Sequence, residues 1–143
     1  MSFRPRLTLV TLGVSDLDRA VRFYRGLGWE PARVIDNDVA FFQMGGMGLA
    51  LWGRDQLAAD SEAEDLGGFG GVTLAHNAES REAVDAAIET VRRAGGTIAR
   101  EPTETEWGGY SGIFHDPDGH PWEVAHNPFW ELRDDGTIRI PTG

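Results

Sequence analysis

The stretch HDPDGHPWEVAHNP, residues 115–128, sets a tight turn in front of a short strand. Asp-Pro-Asp-Gly is turn chemistry: proline fixes one backbone angle, glycine supplies the left-handed one, and aspartate bonds its own backbone. The strand that follows alternates, and it carries one acid, Glu123, between Trp122 and Val124. A carboxylate inside an apolar strand is costly to bury without a partner. Glu123 is therefore read as a metal ligand, a general base, a ligand-recognition group or a capped structural acid.

Working outward, the strand pair 110–114 and 121–126 closes a unit that begins with a strand-like GVTLAH at 71–76. Ser80 is placed to cap a helix whose apolar stripe is Ala83, Val84, Ala87, Ile88 and Val91, with Gly95 and Gly96 as its stop. A return strand is expected near 97–100. The first half follows the same plan: LTLVTLGV at 7–14 reads as a strand, and Ser15 with Asp18 as a capping-box start. Leu17, Ala20, Val21, Tyr24 and Leu27 recur at helical spacing up to Gly28. Strands are expected near 32–35, 38–43 and 47–52, with a Gly45–Gly46 turn.

The sequence thus predicts an α+β fold of two tandem βαβββ modules, 7–53 and 71–127, joined by an acidic, glycine-rich linker at 54–70. Residues 128–143 form an extension in which Asp135–Gly136 marks a hairpin.

Composition narrows the function classes. The 143 residues include no cysteine, which excludes disulfides, thiolate metal sites and cysteine nucleophiles. A formal charge of −10 argues against nucleic acid or an anionic membrane as partner. No segment approaches the ~20 apolar residues of a membrane span, and MSFRPR opens the chain without an apolar signal region. A cytoplasmic protein is the expectation. The GGFGG run at 67–71 has no following lysine and does not read as a phosphate loop.

Three features, VSDLDRAVRFYRGLGWE at 14–30, the module repeat and FHDPDGHPWEV at 114–124, resemble the vicinal oxygen chelate superfamily of glyoxalases, bleomycin-resistance proteins and extradiol dioxygenases. The resemblance implies a half-open, curved mixed sheet around a cavity, with helices on its outer face. It also implies a divalent ion held by His, Glu or Gln from the first and last strands of each module. Carried over, those four positions are Leu9, Ala50, Gly71 and Glu123. Only Glu123 has a donor side chain, and even catalytic zinc takes about three protein ligands. No cofactor is therefore expected, a divalent metal being the alternative.

Strand alternation assigns Leu7, Leu9, Thr11, Ala50, Trp52, Thr73, Ala75, Glu123 and Ala125 to the cavity face, with Trp107 and Tyr110 on its rim. His76 and His126 fall on the opposite face, while His115 and His120 flank the turn. The expected function is the binding of a small organic ligand without the intact metal site, by a homodimer as in drug-sequestering relatives. The alternatives are a glyoxalase-like lyase, isomerase or dioxygenase using relocated ligands, and metal-free acid–base catalysis by Glu123.

Overall fold

The computed structural model describes residues 3–143. The first module runs β1 (Leu9–Val14), α1 (Leu17–Gly26), β2 (Arg33–Ile35), β3 (Val39–Met44) and β4 (Met47–Gly53). The second runs β5 (Leu74–Asn77), α3 (Arg81–Arg93), β6 (Thr97–Glu104), β7 (Tyr110–His115) and β8 (Pro121–His126). Each module builds its own four-stranded sheet, ordered β1-β4-β3-β2 and β5-β8-β7-β6, and neither closes into a barrel. The pairings β1–β4 and β5–β8 are parallel and the others antiparallel, so both sheets are mixed.

The modules share one core. Leu12 and Val14 of β1, Leu49 and Leu51 of β4, and Trp122 and Val124 of β8 all turn toward the helices α1 and α3. The period-two pattern therefore has its apolar half on the helix side and leaves the other face of each sheet open. The helices approach closely because Gly26 has no side chain: a Cβ there would sit 2.7 Å from the Ala94 Cβ.

The Asp-Pro-Asp-Gly turn between β7 and β8 locks the two modules together. Asp116 is buried, and its Oδ1 accepts from the backbone N–H groups of Asp118 and His120, both at 2.9 Å. Its Oδ2 accepts the Tyr24 hydroxyl of α1 at 2.7 Å, and that hydroxyl accepts Trp122 Nε1 at 3.1 Å. Burial first, then the neighbouring Asp116 charge and its hydrogen bond, push the Tyr24 hydroxyl far above the ordinary tyrosine range. Asp118 Oδ1 accepts from Ser15 N–H, Ser15 Oγ and Arg19 Nη2. His120 Nε2 completes the lock by donating to the Gly13 carbonyl at 2.7 Å.

Two local expectations are corrected here. The cap of α1 is Asp16, whose Oδ1 accepts from Arg19 N–H, whereas Ser15 is spent on Asp118. Ser80 does cap α3, through Ala83 N–H. The acidic segment after β4 also contains a seven-residue helix, α2 (Arg54–Asp60), that its composition did not announce. Beyond β8, the tail forms a small antiparallel pair, β9 (Glu131–Leu132) and β10 (Ile138–Arg139), around Gly136, whose φ of 86° is left-handed.

After α2 the chain is tied back by Asp65, which accepts from Arg54 Nε at 2.6 Å, from Nη2 at 3.0 Å and from Gly67 N–H at 2.9 Å. The Arg54 bonds, then the Gly67 bond, pull the Asp65 carboxyl down to about 2. A depressed carboxyl stabilises above its unfolded value and loses that contribution as pH falls through the folded one. Pepsin cleavage between Leu66 and Phe69 is therefore expected to rise from pH ~4 to ~2, and Asp65→Asn to be cut readily at both. An equal pH profile for the two proteins would count against the anchor.

Candidate ligand site on the open sheet faces

Register fixes which side chains share the open face. In the first sheet Thr11 pairs with Ala50 and Ala50 with Phe41, while Leu9 pairs with Gly48. In the second, Glu123 lies between Ala75 of β5 and Ile113 of β7, and Ala125 between Asn77 and Ser111. Leu9, Thr11, Ala50, Trp52, Ala75, Glu123 and Ala125 thus turn away from the helices, as alternation implies, but Ala50 and Ala125 are covered there. Trp52 Nε1 donates to Asp38 Oδ2 at 3.2 Å, which fixes the indole at the edge of this face.

Thr73 lies just ahead of β5 and lines an open groove of about 640 Å³ with Arg54, Phe69, His115 and Asp118. Gly71 also precedes β5, with a φ of 80°, so the residue registered with Glu123 in that strand is Ala75. Tyr110 is not on the cavity rim. It sits at the first position of β7, packs toward the core, donates to Asp85 Oδ1 of α3 at 2.6 Å and lies under Arg81. Trp107, about half exposed at 47%, lies over Gly109 in the β6–β7 loop, where a Cβ would collide with its ring.

The histidines are accounted for. His76 faces the helix layer, in a small apolar hollow of about 190 Å³ with Trp29, Val91 and Trp122. His126 Nδ1 donates to the Ala78 carbonyl at 3.1 Å, and His120 belongs to the module lock. His115 pairs with Pro121 at the end of the strand pair.

Glu123 is half-buried and makes no hydrogen bond or ion pair to another described residue; neither Thr11 nor Thr73 caps it. Its flanks, Ala75 and Ile113, are apolar. The structure adds two groups that sequence reading missed, Arg100 and Ser111, whose side chains bond each other on this face.

A model of the glyoxalase/bleomycin resistance protein/dioxygenase superfamily matches residues 6–124. The chain belongs to this superfamily. The metallothiol transferase FosB of Shouchella clausii is 34% identical over 120 residues, spanning 80% of this chain and 75% of that protein. Among solved structures, a glyoxalase-related enzyme from Fulvimarina pelagi is 34% identical with a TM-score of 0.89, over 97% of this chain and 100% of that one. A lactoylglutathione lyase from Agrobacterium tumefaciens, 23% identical with a TM-score of 0.68 over 88% and 96% of the two chains, shows the shared fold alone.

At the four positions that the resemblance assigns to a metal, the residues present do not fit a metal ion. Leu9, Ala50 and either Gly71 or Ala75 have no donor side chain, which leaves Glu123 by itself. That conclusion follows from residue type, so it holds whether two modules meet within one chain or between copies. Among the described residues no group of three or more His, Asp and Glu gathers elsewhere.

Proposed function

We propose that this protein binds a small organic molecule on the open face around Glu123, in a cup completed by a second copy of the chain and without a protein-held metal. The observation that carries the reading is Glu123 itself: a half-buried acid between Ala75 and Ile113, with no partner among the described residues. A carboxylate so placed is held ready for a ligand group that pairs with it.

A second copy is favoured by the sheet edges. β1 and β5 each lie at the edge of their sheet, and nearby apolar residues are open: Leu7 is 65% exposed, Leu9 44% and Val72 61%. Unpaired edges with apolar flanks are pairing sites. A two-fold arrangement that sets β1 of one copy beside β5 of the other covers both edges. It also brings the Leu9–Ala50 face opposite the Glu123 face. Transferase or lyase chemistry through a bound metal requires donors that these positions lack, so the relatives' names are not carried over as activities.

The tests are direct. Protein purified without chelator is expected to hold no stoichiometric Ni²⁺, Zn²⁺, Fe²⁺ or Mn²⁺, and its melting temperature to be unmoved by them. Stoichiometric metal that disappears in Glu123→Ala overturns the metal-free reading. Sedimentation is expected to show a dimer that Leu7→Lys with Val72→Lys converts to monomer, with little loss of stability because both sites are exposed. A wild-type monomer at micromolar concentration overturns the two-copy cup.

A further inference from the structure

The face that carries Glu123 also carries a cation that simple alternation hides. β6 is irregular: its register steps from Ile98–Phe114 to Arg100–Ile113 and then to Thr103–Ser111. Ile98 packs against the core, so the extra residue reverses parity and turns Arg100 to the open side. Ile113 is paired on its other flank with Glu123. Glu123, Ile113 and Arg100 therefore form one row across β8, β7 and β6.

Adjacent strands lie about 4.8 Å apart, which sets the acid and the base about 10 Å apart at their backbones. They make no ion pair with each other. Arg100 Nη1 donates to the Ser111 carbonyl at 2.7 Å and Nη2 to Ser111 Oγ at 2.9 Å. Ser111 is fully buried, so this edge of the guanidinium is fixed. A guanidinium has five N–H donors, and among the described residues two of them are used. Among the described residues, none uses the acceptor capacity of Glu123.

We infer that this row selects a zwitterionic amino-carboxylate with an apolar body. The ligand ammonium pairs with Glu123, its carboxylate takes the free donors of Arg100, and its body lies over Ile113. A ligand with one charge leaves the opposite protein charge desolvated and unpaired, which disfavours it. This assignment of ligand class rests on the cup reading above.

The experiment is a binding panel on the intact protein by thermal shift and calorimetry. It uses the standard amino acids, the amines lacking their carboxyl group and the acids lacking their amino group. At least one apolar amino acid is expected to bind tenfold or more tightly than both of its single-charge counterparts. Arg100→Gln is expected to bring that amino acid down to the level of its amine counterpart and to leave the amine bound at least as tightly as before, since no guanidinium is then left unpaired. Glu123→Gln is expected to do the converse for the acid. Circular dichroism and melting temperature confirm that each variant is folded. If single-charge compounds bind as tightly as the amino acids, or no amino acid binds, the zwitterion assignment is overturned. The cup itself is judged separately, by the metal and sedimentation measurements and by a screen of neutral and aromatic compounds.

Discussion

Asp116→Ala is expected to destabilise the fold by about 3–4 kcal/mol, measured by urea unfolding at neutral pH. The buried carboxylate accepts three hydrogen bonds, from Tyr24, Asp118 and His120. Its removal strands the Tyr24 hydroxyl in the core and loosens the turn that holds Ser15 and Arg19. Tyr24→Phe breaks the same network at one bond and is expected to cost less, about 1–3 kcal/mol. The two proteins also differ in alkali. Because burial and Asp116 raise the folded Tyr24 hydroxyl above its unfolded value of 10.0, its contribution is complete below that pH. It declines as pH rises further, since only the unfolded chain then releases the proton. Wild-type stability is expected to fall above pH ~10 with a slope that Tyr24→Phe makes shallower, the remainder coming from the Tyr110 hydroxyl that Asp85 also raises. A cost below ~1 kcal/mol for Asp116→Ala would mean that the turn is not the lock.

Trp122→Ala is expected to cost about 3–5 kcal/mol, because a buried indole leaves a cavity that its neighbours fill only in part. Trp122 stacks on Phe114 with ring centroids 5.9 Å apart and an interplanar angle of 4°. It also meets Tyr24 at 6.1 Å and Trp29 at 5.7 Å, and so joins the helix layer of the first module to the sheet of the second. Set against total stabilities of ~5–15 kcal/mol, either substitution removes a large share. Unfolding that becomes two separate transitions in Trp122→Ala would show that the shared core, and not each module, makes the molecule cooperative.

The modules were legible because each strand alternates and each helix has its apolar stripe, signals that depend only on local period. Ser80 was found as a cap for the same reason. Local spacing points to Ser15 as the cap, but its partner, Asp118, lies 103 residues away and competes with that role. Position in a loop approach points Tyr110 at the cavity rim, whereas its bond to Asp85 of α3 depends on tertiary packing. Arg100 is not legible in the sequence because a bulge in β6 reverses the parity that alternation would give it. Glu123 was visible because an acid in an alternating apolar strand conflicts with its surroundings, and such conflicts mark sites.

The lock between modules also sets the order in which the chain can fold. Tyr24 meets Asp116 across 92 residues, and Ser15 meets Asp118 across 103. A chain made from its N-terminus completes the first module long before the residues that cover Phe23, Tyr24 and Trp29 exist. The cover that Phe114 and Trp122 give them comes only with β7 and β8, and contacts this distant carry a loop-closure cost before they return any stability. The last hairpin of the second module is thus a clasp that closes late on a half-finished partner. Translation halted before Trp122 leaves a first module with an open aromatic face, the kind of surface that chaperones hold.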